Sequence, residues 1–218
     1  MKDQRNQVRR RLTRCLLGLT AGQATPALAD VVGRLIADLP QQQTLAVLQE
    51  RYRLCWSVAT LRKVTEALAR TLKPLRHDVQ VTYLVDLLQK AHRSPGNGRP
   101  SLVVGRDSIM TPMRDSWQEA STASITVYDP KGEYMAYARY KRNGLPIGSG
   151  VTEAACKTIF TQRFKLSGMR WHKDSGQNVL DLRVILRGGV WRYVRKRWLK
   201  LPISCNLPKS AAALAKTA

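Results

Sequence analysis

A short segment rich in proline and glycine, residues 93–100 (RSPGNGRP), divides the chain into two parts with different hydrophobic patterns. Before it, apolar residues recur with the period of an α-helix, whereas after it they first follow the pattern of β-strands. Because its prolines and glycines cannot continue a helix and rarely lie in a strand, the segment predicts a domain boundary. The expected organisation is a helical domain over 1–92, a linker over 93–100, a second domain over 101–203 and a disordered tail over 204–218.

The first part contains start signals for successive helices. Thr25 and Pro26 cap and open the first of them, and Ser57 caps the third. The expected helices span residues 25–40, 43–51, 58–72 and 80–91. The short second helix, the tight connection after it and the capped third helix together predict a helix-turn-helix.

The second part begins with two segments rich in β-formers, residues 101–113 and 120–128, which predict a β-hairpin or adjacent strands. Helical patterns return after Ser149, a possible cap, and over 180–201, where Gly188 and Gly189 break or bend the helix. The fold class expected from the whole chain is α+β and mostly helical.

The charge of the chain indicates its kind of partner. Lys and Arg number 37 against 15 Asp and Glu, a formal net charge of +22 over 218 residues, and such a surface favours a polyanion. No apolar run reaches the roughly 18 residues that would span a bilayer, and none resembles a secretory leader, so a soluble cytoplasmic location at the nucleoid is expected, without a membrane. The four cysteines are widely spaced and predict neither disulfides nor a zinc site.

Two helical segments offer basic side chains for DNA. Arg62 and Lys63 fall near the start of the third helix, where a recognition helix presents side chains to bases and phosphates. The alternative is an ordinary helical hairpin with a solvated polar face. The last helical stretch carries a second basic set, Arg183, Arg187, Arg192, Arg195, Lys196, Arg197 and Lys200. We expect these cations to contact phosphates, whereas Trp191, Val194 and Trp198 have the spacing of a core face.

Two acidic residues have positions that suit a metal site. Asp107 lies in the middle of a strand pattern, where an acid is a poor β-former and costly to bury unpaired. Glu153 falls in the first turn of a predicted helix, where it either binds a metal or stabilises the helix dipole. Carboxylates from a strand and a distant helix are what two-metal phosphoryl transfer needs.

Several segments resemble one family. Residues 144–157 (GLPIGSGVTEAACK), with QR at 162–163 and SGMRW at 167–171, resemble the C-terminal signature of DDE transposases of the Kra-type insertion-sequence family. Residues 103–114, 117–120 and 127–129 are similar to the family's first catalytic strand and the strand after it. The helices of the first part also resemble its DNA-binding segment, less distinctively.

The resemblance implies a ribonuclease-H-like fold in which Asp107 and Glu153 bind Mg²⁺ or Mn²⁺ as the first and last catalytic acids. It also places Lys157, Arg163 and Arg170 in a motif expected to contact DNA. The family's central Asp has no counterpart, because the segment that bears it is missing at about 133–134, and the second domain is an incomplete remnant. Four other acids, Asp115, Asp129, Asp174 and Asp181, are not at a matching strand end.

The resulting hypothesis is an internally shortened transposase that binds the terminal inverted repeats of its parent element without catalysing strand transfer. An alternative is a helix-turn-helix regulator or repressor of that element, and a basic RNA-associated protein is a further one. Since transposases of this kind act as multimers on paired ends, the resemblance also implies a homo-oligomer.

Overall fold

The computed structural model describes residues 24–96, 98–130, 150–166 and 169–201. In chain order its elements are α1 (Pro26–Asp38), α2 (Gln41–Tyr52), α3 (Val58–Arg93), β1 (Ser101–Pro112), β2 (Trp117–Tyr128), α4 (Gly150–Cys156), α5 (Lys173–Arg187) and α6 (Trp191–Trp198). After α4 the chain continues through a π-helical turn (Lys157–Thr161) into a short α-helical turn (Gln162–Phe164). The prediction of a mostly helical α+β chain is confirmed. The expected cap Ser149, the deletion point and the tail over 204–218 lie outside the described residues.

Local capping signals set where α1 and α3 begin, as the sequence predicts. The Thr25 hydroxyl accepts a backbone N–H in the first turn of α1 at 3.3 Å, and Pro26 takes the first helical position. The Ser57 hydroxyl does the same for α3 at 3.2 Å. At the C-terminal end of α2, Arg53 adopts the left-handed conformation, with a φ of 55°, in which many helices end. The order of the three helices matches the expected one, and the helix-turn-helix interpretation stays a prediction.

The α3 helix is continuous where the sequence predicts two helices. Pro74 lies inside it, although proline removes a backbone donor and crowds the preceding turn. On either side of Pro74, Leu72 and Val79 are buried in the core. Arg76 forms an ion pair of 3.0 Å with the buried Asp181 of α5. Packing and ion pairing therefore override the local preference of the proline.

The two strands form the predicted antiparallel hairpin, in register from Ser101 opposite Tyr128 to Pro112 opposite Trp117. Within the described part of the chain the sheet has these two strands, so a larger ribonuclease-H-like sheet stays a prediction. One face is covered by α4 and the π-helical turn, whose buried residues Cys156, Ile159 and Phe160 form a small apolar cluster. On the opposite face, Val104 is 63% exposed with respect to the described residues.

The last two helices pack back onto the first ones. A single core cluster joins apolar residues of both parts of the chain, among them Val32, Ile36, Leu61, Leu68, Leu182, Ile185 and Trp191. The break at 93–100 therefore does not separate two independent cores. The physical reason is that α1 and α3 have long apolar faces, and α5 and α6 pack against these faces and bury them. We call α1, α2, α3, α5 and α6 the helical body, and the hairpin with residues 150–161 the hairpin layer.

A glycine turn joins α5 to α6, as predicted. Gly189 has a φ of +73°, a conformation that glycine adopts without steric cost. The break lets Trp191 of α6 turn back into the core, where it is 4% exposed. None of the helices in the described ranges is long and apolar enough to cross a membrane.

Candidate acidic pair and nucleic-acid interface

Asp107 lies in the middle of β1, on the face of the hairpin that α4 covers. Its carboxylate accepts the backbone N–H of Ser108 at 2.8 Å and a hydrogen bond from the thiol of Cys156. Burial, and then this carboxylate, raise the pKa of the Cys156 thiol above its ordinary value. Part of the hydrogen-bonding capacity of the Asp107 carboxylate is therefore used by Cys156 of α4.

Glu153 lies in the first turn of α4, less than one helical turn before Cys156. The helix and the hairpin are in close contact at this point. The hydroxyls of Thr152 and Ser124 are 3.2 Å apart, and a Cβ added to Gly105 would collide with the Thr152 side chain. The fold therefore brings the strand with Asp107 and the helix with Glu153 together.

The chemistry of this pair suits a divalent metal only in part. Carboxylate oxygens are the ligands that Mg²⁺ and Mn²⁺ prefer, but the neighbour of Asp107 is a thiol, which these hard ions disfavour. Over the ranges that the structure covers, no group of three or more His, Cys, Asp and Glu is placed to hold a metal ion. The residues present fit a complete two-metal site poorly.

The four other acids named above lie in different places. Asp181 is 3% exposed and pairs with Arg76, so it serves the packing of α5 against α3. Asp174 is 87% exposed at the start of α5. Asp115 lies in the turn between β1 and β2, whereas Asp129 follows the far end of β2.

The structure corrects the expectation that Arg163 and Arg183 contact DNA. Their exposed fractions are 0% and 1%, so neither guanidinium is on the surface. Burial, with the nearby charge of Arg183 as the second cause, lowers the pKa of Arg163 to about 10. Burial also lowers the pKa of Arg183, against the opposing effect of Asp38.

The two buried guanidinium groups bind the C-terminal end of α1. Arg183 donates to the carbonyl of Ala37 at 2.6 Å and to Asp38 Oδ1 at 2.7 Å. Arg163 reaches the carbonyl of Ile36 at 3.4 Å. Because the last carbonyls of a helix have no partner within it and carry a partial negative charge, cations are favourable here. These arginines join α1 to the C-terminal part of the chain.

Arg163 and Arg183 each make a further contact in the C-terminal part. The Arg163 guanidinium lies 4.9 Å from the ring centroid of Trp171, which stacks on Phe164 at 4.3 Å. Arg183 Nε donates to the carbonyl of Thr158 in the π-helical turn at 2.9 Å. Two residues of the matched motif, Arg163 and Trp171, therefore belong to the core.

Three of the remaining candidates on α5 and α6 are partly exposed and ion-paired, whereas Arg192 and Lys196 are exposed. The three paired side chains are 40–49% exposed, and each has an acidic partner in the helical body. The pairs are Arg187 with Asp38 at 2.8 Å, Arg195 with Asp30 at 3.3 Å and Arg197 with Asp78 at 3.3 Å. The buried Trp191 and Val194 form the core face that their spacing predicts. Phosphate contact by these three arginines stays a prediction.

Arg62, Lys63, Lys157 and Arg170 are exposed, and none of them has an ion pair within the described residues. Arg62 and Lys63 lie on the first turns of α3, Lys157 lies in the π-helical turn, and Arg170 lies in the loop before α5. The structure leaves these four cations accessible on three different segments of the chain, and their contact with DNA stays a prediction.

The sequence analysis missed a further set of residues at the closed end of the hairpin. Arg114, Trp117 and Lys165 line a cavity of about 550 Å³ together with Arg170. Arg114, Trp117 and Arg170 lie in segments that carry the family resemblance, but nothing in the sequence marked them as one site; they meet because Trp171 hydrogen-bonds to Pro112 and Arg114 at the end of β1. It also missed Asp30 and Asp38, whose partners are distant in sequence.

No family model, no curated protein and no solved structure matches this chain.

Proposed function

We propose that this chain is a DNA-binding transposase derivative that has lost catalytic activity. The carrying observation is the contact of α4, which bears Glu153, with β1, which bears Asp107: Gly105 of β1 lies directly against Thr152 of α4. Two acids far apart in sequence lie on touching elements, a strand and a helix, as the resemblance to DDE transposases requires.

DNA is the polyanion that we propose as partner. The net charge of +22 is far from balance, and several cations remain accessible while others are buried or paired. Cations that neutralise phosphates release counterions, so affinity should fall steeply as salt rises. We propose that Arg62 and Lys63, on the capped start of a helix-turn-helix, supply the sequence preference.

The loss of activity rests on the missing central Asp. Without that ligand the two metal ions of phosphoryl transfer cannot both be held, and neither the attacking nor the leaving oxygen is stabilised. We propose that Asp107 and Glu153 alone bind Mg²⁺ or Mn²⁺ weakly. The protein would then occupy the terminal repeats of its parent element, where it also acts as a repressor of transposition.

Binding is tested by selecting duplexes from a random pool with the full chain and measuring fluorescence anisotropy at several salt concentrations. The double variant Arg62→Glu/Lys63→Glu should lose the preference for selected over random duplex. The matched control Arg192→Glu/Lys196→Glu reverses the same charge on α6 and should weaken both duplexes alike. Equal behaviour of the two double variants would contradict a recognition role for α3.

Catalysis is tested by incubating the chain with Mg²⁺ or Mn²⁺ and a plasmid that carries the selected site. We expect no nicking or strand transfer above a control without protein. Metal-dependent product that disappears in Asp107→Ala would overturn the proposed inactivity. A footprint on a cellular promoter, instead of inverted repeats, would favour a regulator.

A further inference from the structure

The closed end of the hairpin has a cavity whose lining combines one exposed aromatic ring with three cations. Arg114 lies in the turn between β1 and β2, Trp117 is the first residue of β2, and Lys165 and Arg170 come from the chain between α4 and α5. The cavity measures about 550 Å³, within the range of pockets that hold small ligands. We propose that it binds an unpaired DNA nucleotide, with the base on Trp117 and its phosphate among the cations.

The backbone around this pocket is fixed by the core. Trp171, which is buried, accepts the N–H of Arg114 at 2.9 Å through its carbonyl. The backbone N–H of Trp171 donates to the carbonyl of Pro112 at 3.1 Å. Within the turn, the backbone N–H of Met113 donates to the carbonyl of Ser116 at 2.9 Å. These hydrogen bonds tie the turn that bears Arg114 to the buried Trp171, next to Arg170, so a ligand would have to order less of the pocket on binding.

The charge of the pocket favours a phosphate. Arg114, Lys165 and Arg170 face a single acid, Asp115, in the lining. None of the three cations forms an ion pair within the described ranges, whereas Arg195 and Arg197 of α6 already pair with Asp30 and Asp78. Three unpaired cations on one rim repel one another, and a phosphate group would relieve that repulsion.

The aromatic ring favours an unpaired base over a duplex. Trp117 is 62% exposed, so most of its apolar surface meets water. Bases of single strands stack on such rings without regard to sequence, whereas bases inside a duplex have no free face. The tryptophans of the last helix do not serve this purpose, because Trp191 is buried and Trp198 is half-buried.

This inference rests on the proposed DNA binding and adds to it a site for a strand end. The experiment compares the affinity of the full chain for a blunt duplex with that for the same duplex carrying a short single-stranded overhang. We expect the overhang to bind roughly tenfold more tightly, and Trp117→Ala to remove that gain while leaving the blunt duplex unchanged. Trp117→Phe should keep most of the gain, because phenylalanine still offers a ring face.

The control variant is Tyr193→Ala, which removes an exposed ring of α6, 52% exposed in the protein, outside the pocket. It should leave the gain intact, and circular dichroism should show that both alanine variants fold. Equal binding of blunt and overhang duplexes would overturn the inference while leaving the proposed function standing. The inference would also be overturned if the tighter binding of the overhang duplex survived Trp117→Ala, or if it persisted with an overhang that has no bases. Failure to bind any duplex would remove the proposed function itself.

Discussion

The helical body and the hairpin layer differ in how much apolar surface each buries. Among the described residues, the core of the helical body contains twenty buried apolar residues, whereas the cluster under the hairpin has three, Cys156, Ile159 and Phe160. On the outer face of the hairpin, Val104 is 63% exposed within the part of the chain that the structure describes. Since local stability follows buried apolar contact, the hairpin layer should open at a lower free energy than the body.

This difference bears on function. The predicted recognition residues Arg62 and Lys63 belong to the helical body, whereas Asp107 and Glu153 belong to the hairpin layer. The layer can therefore loosen without loss of the proposed duplex contacts. The body, however, is not the N-terminal half of the chain alone, because α5 and α6 complete its core.

The largest expected effect comes from Arg183→Met, which tests whether the body is one unit. The substitution leaves the carbonyls of Ala37 and Thr158 without this donor and removes one of the two arginine partners of Asp38. The loss of charged hydrogen bonds to two carbonyls, about 1.5–3 kcal/mol each, should lower the free energy of unfolding by about 3–5 kcal/mol. Thermal and urea unfolding followed by circular dichroism measure it.

The control for Arg183 is Arg187→Met, which removes a second arginine from Asp38 at a position 40% exposed. Solvent already screens that pair, so its loss should cost about 1 kcal/mol or less. Equal effects of the two substitutions would show that Arg183 does not hold α1 to the C-terminal helices.

Arg163 and Arg183 also show where prediction from sequence ends. The starts of α1 and α3 follow from Thr25 and Ser57, because a cap acts within one turn of the chain. By contrast, the acceptors of Arg183 on α1 lie about 145 residues earlier in the sequence. No local pattern distinguishes this arginine from a surface one, so its burial could not be predicted.

Pro74 shows that a helix boundary, too, can depend on contacts that are distant in sequence. Local patterns predict one helix over 58–72 and another over 80–91, and proline disfavours a helix interior, whereas α3 is continuous through Pro74. The decisive contacts come from α5, through the pair of Arg76 with Asp181.

The candidate site was predicted only in part. The sequence indicated Asp107 and Glu153, because an acid is unusual within a strand and because both residues lie in segments that resemble the transposase family. The partnership of Asp107 with Cys156 depends on how α4 packs, which sequence does not specify.

The second largest expected effect on stability comes from substituting two phenylalanines in the same stretch of chain, Phe160 and Phe164. Phe160 belongs to the cluster under the hairpin, whereas Phe164 belongs to the core of the body. Phe160→Ala should lower the free energy of opening of the hairpin layer by about 3 kcal/mol while the melting of the body changes little. Phe164→Ala should instead destabilise the body as a whole. Hydrogen exchange resolved by peptide separates the two responses, and identical exchange patterns would mean that body and layer unfold as one.

The smallest expected effect tests the contact between the hairpin and α4. A Cβ at Gly105 would collide with the side chain of Thr152, so Gly105→Ala should weaken protection of β1 and α4 by about 1–2 kcal/mol through overpacking. In the Thr152→Ala background the colliding hydroxyl and methyl groups are gone, and the same substitution should cost little or even stabilise, since alanine has less chain entropy to lose than glycine. Hydrogen exchange of the four proteins of this double-mutant cycle gives the coupling between the two positions. A coupling near zero would mean that α4 does not rest on β1 in solution, and the contact that brings Asp107 and Glu153 together would be lost with it.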